Sequence, residues 1–242
     1  MNRILLDPAE LDDAGRARLA DDRARHIREV LRLQPGDSLR IGLLEGPPGV
    51  ARLVAVEPDR VELECRLDPE TPPRPRIDLL LALPRPKVMK RLWAQLAALG
   101  VGRIILTRAA QVERAYFDTH WLQPEGYRPL LIEGLQQAGA TRLPQVEIHR
   151  RFKPLIEDRI AADYADATRI AADPAATRRF RDLPDPLPGR ALVAVGPEGG
   201  WTPFEWELLQ AAGFIGVNAG PRILRTDTAC IALLSLTRDR LE

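Results

Sequence analysis

The chain has 242 residues, 45% of them hydrophobic and 29% charged, with 35 basic against 34 acidic side chains and a net charge of +1. These values are ordinary for a globular protein of one large domain or two smaller ones, and no apolar run reaches the ~18 residues that a membrane span needs. Cys65 and Cys230 fit no CxxC pattern and His26, His120 and His149 have no ligand spacing, so neither a disulfide nor a metal is expected.

Residues 1–13 carry acidic side chains where a signal peptide needs an apolar core, which makes the cytoplasm the expected location. Residues 20–33 read as a helix whose apolar side is Ile27, Val30, Leu31 and Leu33. Pro35-Gly36-Asp37 marks a turn, and short strands follow at 39–44, 51–56 and 61–67. Together they describe a small β-barrel with one helix. Residues 68–76 hold four prolines in nine residues and read as a linker, dividing the chain into domains 1–72 and 73–242. Beyond it strands and helices alternate: strand 77–83, helix 88–99 ending at Gly100, strand 103–107, helix 128–138, strand 146–148, helix 153–161 and strand 169–172. Residues 173–190 read as an irregular loop. The alternation predicts a parallel α/β sheet with helices on both faces.

Arginine is clustered within this neutral chain. Residues 16–32 hold six arginines against Asp21, Asp22 and Glu29, and residues 84–114 hold seven basic side chains against Glu113 alone. Guanidinium suits bidentate phosphate contact and base stacking, so the clusters point to a polyanionic partner.

The C-terminal third runs twice from a strand through a glycine-proline loop into a helix. Val193 to Val195 are apolar and partly β-branched; Gly196 and Pro197 end the strand; Thr202-Pro203-Phe204-Glu205 is a capping box with threonine at N-cap, proline at N1 and glutamate at N3. Glycines at a helix N-terminus let a ligand approach free N–H groups, and Gly199 would keep that space clear. A tight turn would also use glycine. Ile215 to Val217, Gly220-Pro221 and a helix capped by Thr226 repeat the arrangement, which places two such loops at one sheet edge. Neither GxxxxGK[ST] nor an early GxGxxG occurs, which disfavours a triphosphate or dinucleotide site. Glu198, Arg222, Arg225 and Asp227 add charge to the loops.

Four stretches, HIREVLRLQPGD, QQAGATRLPQV, VGPEGGWTPFE and AGPRILRTDTA, resemble in order and spacing the RsmE family, the 16S ribosomal RNA uridine-N3 methyltransferases of the SPOUT superfamily, over nearly the whole chain. The resemblance implies a PUA-like RNA-binding β-barrel in 1–72. It implies a SPOUT-type α/β domain with a C-terminal trefoil knot in 73–242, and a homodimer. The implied cofactor is S-adenosylmethionine, held by Gly196, Pro197, Glu198, Gly199 and Gly200, by Gly220, Ile223, Leu224, Arg225, Thr226 and Thr228, and by Ala171 and Ala172 as a third wall. The implied partner is 16S ribosomal RNA of the small ribosomal subunit, for which Arg23, Arg25, His26, Arg28, Arg32, Arg85, Lys87, Lys90 and Arg91 are the candidate contacts. Asp227 stands where the family has glutamate, Gln95 and Ala98 where it has lysine and glutamate, and Ala115 where its Glu-Arg-Ser has serine. These departures leave open a diverged RNA-binding or ribosome-assembly paralogue with weak or altered activity.

Methyl transfer from a sulfonium to the uracil imide needs alignment and removal of the N3 proton. Arg225 and Arg114 are the candidates for stabilising the uracil oxygens. Glu198 or Asp227 is the candidate proton acceptor, with a salt bridge that orders the loops as the other role for either.

Overall fold

The computed structural model describes residues 3–241. Packing divides the chain into two compact units: residues up to Arg74 together with Ile132–Leu143, and Pro75–Leu131 together with the chain from Pro144 onward.

The first unit is built on β1 (Ile4–Leu6), β2 (Arg16–Leu19), β3 (Ser38–Leu43), β4 (Pro48–Val56) and β5 (Val61–Leu67). They form one sheet in the order β1-β3-β4-β5-β2, antiparallel except for the β1–β3 pair. Alternate residues share a buried core: Ala17 and Leu19, Leu39 and Ile41, Ala51 and Leu53, Val61 and Leu63. That alternation is what one covered sheet face requires. β3, β4 and β5 are the strands expected from it. β1 escapes the pattern because all three of its residues are buried, and β2 because its alternation lies inside an arginine-rich stretch.

The helix expected over 20–33 is corrected. It is one α turn, α1 (Asp22–Arg25), widened into a π turn at His26–Val30. Ala24 and Ile27 reach the core, whereas Val30 and Leu31 stay exposed. Arg23 is committed inside the unit: it donates to the Leu5 carbonyl at 2.8 Å, to Glu10 at 2.8 Å and to Asp21 at 2.7 Å. Hydrogen bonds to this guanidinium hold the Glu10 and Asp21 carboxyls below their usual range.

The second unit is built on β6 (Ile77–Ala82), β7 (Arg103–Thr107), β8 (Gln145–His149), β9 (Thr168–Ala172), β10 (Ala191–Val195) and β11 (Ile215–Val217). All pairs are parallel, in the order β11-β9-β10-β6-β7-β8. β6 and β10 are buried at every position, which a sheet covered on both faces requires. Its helices are α2 (Pro86–Ala98), α3 (Pro124–Ala138), the short turns α4 (Phe152–Pro154) and α5 (Ala161–Asp163) joined by a π turn, α6 (Pro203–Ala211) and α7 (Thr226–Asp239). α2 shows the rule behind the others: Met89, Leu92, Trp93 and Leu96 recur on one helical face and are all buried. α3 begins earlier than the expected 128 and carries Pro129 in its interior.

The later half of α3 belongs with the first unit. Arg142 Nε donates to the Pro72 carbonyl at 2.6 Å, Arg142 Nη1 to the Glu45 carbonyl at 3.1 Å, and Thr141 Oγ1 to the Gly46 carbonyl at 2.7 Å. Residues 68–76 form no helix or strand.

One feature of strand order places the site. β9 lies between β10 and β11. The two strand-loop-helix segments that follow one another in sequence are therefore not neighbours, and the end of β9 stands between their loops. At the opposite edge of the sheet Asp78 is fully buried. It accepts from the Tyr164 hydroxyl at 2.6 Å and pairs with Arg190 at 2.5 Å.

Candidate active site

The C-terminal ends of β9 and β10 and the segments that follow them, with Ile223, Leu224 and the start of α7, enclose a cleft of about 530 Å³. After β10 the chain turns through Pro197–Gly200, with the Gly200 N–H donating to the Pro197 carbonyl at 2.9 Å. Each glycine here answers a different demand. Gly200 takes φ +79, the left-handed region that glycine enters without strain. Gly196 lies flat against the Trp201 indole, and a Cβ there would sit 3.2–3.3 Å from three ring atoms. At Gly199 the clearance is filled by the Gln111 carboxamide, whose Oε1 would lie 1.5 Å from a Cβ. The space before Gly199 is taken by the Gln111 side chain.

The expected capping box at α6 is present. Glu205 is buried and its carboxylate accepts from the Thr202 N–H at 2.9 Å and the Thr202 hydroxyl at 2.8 Å. It also accepts from the Ala110 N–H at 2.6 Å, which ties the segment after β7 to the start of α6. Trp201 packs on Phe152 with ring centroids 5.3 Å apart. Its indole Nε1 is buried and has no hydrogen-bond partner among the described residues. A buried donor without a partner is costly.

The second loop is more open. Gly220 takes φ +126 after Asn218, whose side-chain oxygen accepts from the Gly220 N–H at 3.2 Å. Ile223 is 84% exposed at the cleft mouth. The N-cap of α7 is Arg225, with no side-chain cap, and Thr226 is the first helical residue. Thr226 as the cap is therefore corrected: it is buried at the cleft wall instead.

Of the residues expected to hold a cofactor, Ala172, Gly196, Pro197, Glu198, Gly200, Ile223, Leu224 and Thr226 line the cleft. Ala171, Gly199, Gly220, Arg225 and Thr228 stand outside its lining; Ala171 is a core residue beneath it. Asp173, Pro174, Ala175, Val195, Trp201, Pro203, Trp206 and Ala229 line it without having been foreseen. A tryptophan placed directly after Gly-Gly was the available signal for Trp201. The others depend on strand order.

The four candidate catalytic residues separate. Glu198 is exposed and lines the cleft. Asp227 lies between two arginines, 3.2 Å from Arg91 and 3.8 Å from Arg225, which is the salt-bridge role. Arg225 is a side chain in solvent, and Arg114 opens an exposed 3₁₀ turn. In the same turn the Tyr116 hydroxyl donates to Glu113 at 2.8 Å, which raises the phenol pKa. Arg91 pairs with Asp227, and Lys90 lies 4.3 Å over the Trp121 ring. Arg28 Nη1 donates to the Glu57 carbonyl, and burial lowers the His26 pKa. Among the described residues no group of three or more histidine, cysteine or acidic side chains could hold a metal. Among the described residues no helix is long and apolar enough to cross a membrane.

A family model described as an RNA methyltransferase domain matches residues 71–238, and one described as an RNA methyltransferase PUA domain matches residues 19–64. A Treponema pallidum protein named Ribosomal RNA small subunit methyltransferase E is 31% identical over 222 residues, covering 88% of this chain and 80% of its own length. Its namesake in Mycobacterium tuberculosis is 28% identical over 231 residues, covering 93% and 87%. The crystal structure of Ribosomal RNA small subunit methyltransferase E from Neisseria gonorrhoeae, bound to S-adenosyl methionine, matches with a TM-score of 0.77 at 26% identity. That match covers 97% of this chain and 95% of the other.

Proposed function

The chain belongs to the RNA methyltransferase family, with relatives named Ribosomal RNA small subunit methyltransferase E along almost its whole length, and from that premise we propose that it methylates N3 of a uridine in small-subunit ribosomal RNA, using S-adenosylmethionine.

The observation that carries this reading is the cleft after β10. Its residues suit the cofactor. Gly196 and the Trp201 indole pack together as one wall, which keeps that wall flat, and Trp201 Nε1–H has no partner among the described residues. Ile223 and Leu224 supply an apolar edge, while Glu198 and Asp173 supply carboxylates for a cationic ligand. When bound, the cofactor supplies a methyl group on a positively charged sulfur.

This chain's own residues then align the acceptor and handle its proton. Glu198 is the candidate for taking the N3 proton, since it alone of the four charged candidates lines the cleft. Arg114 and Arg225, both exposed, are the candidates for stabilising negative charge on the uracil oxygens. We assign Asp227 to holding the second loop through Arg91 and Arg225.

The RNA contacts proposed are Arg25, His26, Arg28 and Arg32 on the first unit, and Arg85, Lys87, Lys90 and Arg91 on the second. Arg23, committed to Glu10 and Asp21, is left out of that set. A homodimer is proposed because Ile223, Ile231 and Leu236 expose large apolar groups along the second loop and α7. Action on ribosomal RNA accords with a cytoplasmic location.

The test combines calorimetric titration with S-adenosylmethionine and tritium transfer to small-subunit RNA from a strain lacking the gene. Nucleoside analysis should then find N3-methyluridine. Cofactor binding with transfer to another nucleoside position would sink the N3 assignment and leave the cleft assignment standing.

A further inference from the structure

The sheet edge that carries the cofactor loops continues past them. β10 is followed in the sheet by β6, β7 and β8, and the segments leaving β7 and β8 begin Arg108-Ala109-Ala110 and Arg150-Arg151. Together with the first turn of α6 they line a second cleft of about 240 Å³. Its walls include Arg108, Arg150 and Lys153, and at its lip stands Phe204, 55% exposed. An aromatic ring left in solvent within reach of three cations is the composition of a surface that stacks unpaired bases and tracks their phosphates.

The cations are available. Arg150 meets Asp118 at 3.4 Å, donates to the Phe117 carbonyl at 3.3 Å and lies 5.3 Å from the Phe117 ring centroid, and Lys153 meets Glu157 at 3.7 Å; the side chains of both ion pairs are more than two-fifths exposed, so these pairs are weak and exchangeable. Arg108 has no ion pair among the described residues. The remaining acid in the walls, Glu205, is turned to Thr202 and Ala110 and satisfied there. Two links join this second cleft to the first. Phe152 lines it and packs on Trp201 of the cofactor cleft, and α6 contributes Pro203 to one and Phe204 to the other.

We infer that Phe204, with Arg108, Arg150 and Lys153, is a stacking platform for an unpaired nucleotide of the RNA substrate beside the one that accepts the methyl group. The inference rests on the proposed action on RNA. It draws Arg108 from the basic stretch 84–114 and adds Phe204, Arg150 and Lys153 to the contacts legible in the sequence. The ring stacks one base, and the cations take the flanking phosphates.

The experiment measures binding of small-subunit ribosomal RNA across a salt series, and the methyl-transfer KM and kcat for that RNA. It compares wild type with Phe204→Ala, Phe204→Trp and Arg108→Ala/Lys153→Ala. Phe204→Ala should weaken RNA binding and raise the RNA KM by about 5- to 100-fold, the range that stacking one base spans. S-adenosylmethionine affinity should stay unchanged. Phe204→Trp should restore RNA binding, and its fluorescence should be quenched by added RNA. The double variant should lower the salt slope by about 1.4, at ~0.7 for each lost phosphate contact of a single strand. RNA affinity and KM within about twofold of wild type for Phe204→Ala would overturn the platform. Conversion of Phe204→Ala to a monomer, with RNA affinity intact, would overturn it too and make this face a contact between copies. A wild-type protein that neither binds nor methylates the RNA would instead overturn the proposed function, and the platform with it.

Discussion

The two glycine-proline loops have the same punctuation in sequence and opposite packing. In the first, Gly196 abuts Trp201, Gly200 closes a turn, and Glu205 completes a capping box while reaching Ala110. In the second, α7 starts without a side-chain cap, Ile223 stands in solvent, and Asp227 makes exposed ion pairs. The first loop is preformed by its own neighbours. The second keeps its apolar and charged groups facing outward, where a cofactor or a second copy can cover them. Shared glycines therefore mark where the backbone must turn and leave open whether the turn is already packed.

The largest expected effect sharpens the chemical side of that contrast. Glu198→Gln should lower kcat by about 100-fold or more, the span of general base catalysis, with cofactor affinity little changed. Steady-state methylation of the RNA beside a calorimetric titration checks it. An unchanged kcat would move the proton acceptor elsewhere.

Gly196→Val and Gly199→Ala test whether the two neighbouring glycines differ as the packing says. The valine meets a rigid indole, and overpacking of ~1–3 kcal/mol should weaken S-adenosylmethionine binding by about 5- to 150-fold. The alanine meets the movable end of Gln111 and should change affinity by less than about threefold. Equal losses in the two variants would show that the glycines share one role.

Glu205→Ala should destabilise the first loop's support by about 3 kcal/mol, since it removes a cap and leaves the Ala110 N–H unpartnered. Thermal unfolding should shift down by roughly 6–12 °C. At the second loop Asp227→Asn should cost less than about 1 kcal/mol, because its arginine partners are solvent-exposed. It should leave kcat within about threefold. A large kcat loss in that variant, with normal melting, would return Asp227 to the chemistry.

Much of the architecture was legible as periodicity. β5, β7 and β11 were expected at their observed bounds, and β3, β4, β6, α2 and the α6 capping box lay close to theirs. These elements rest on alternation, on 3.6-residue spacing and on local chemistry, which a linear chain carries in full. The failures were also physical. β1 is buried on every residue and shows no alternation. The stretch 20–33 has helical spacing, yet only a wide turn brings Ile27 into the core while Val30 faces out. Residues 132–143 look like the end of one helix of the α/β domain, but Glu45, Gly46 and Pro72 hold them to the first unit.

By itself the sequence determined the strands β3 to β11, where the backbone must accept glycine, and the family to which four short motifs point. It also determined the charge pattern that calls for a polyanion. Only the tertiary structure decided that β9 stands between the two loops, so that Asp173 to Ala175 line the cleft. It alone separated Glu198, at the cleft, from Asp227, tied to Arg91, and set Trp201 against Gly196. The reason is range. Dihedral preference, capping and alternation act between residues a few positions apart, whereas strand order, ion-pair partners and the space before a glycine are set by groups that meet only when the sheet closes.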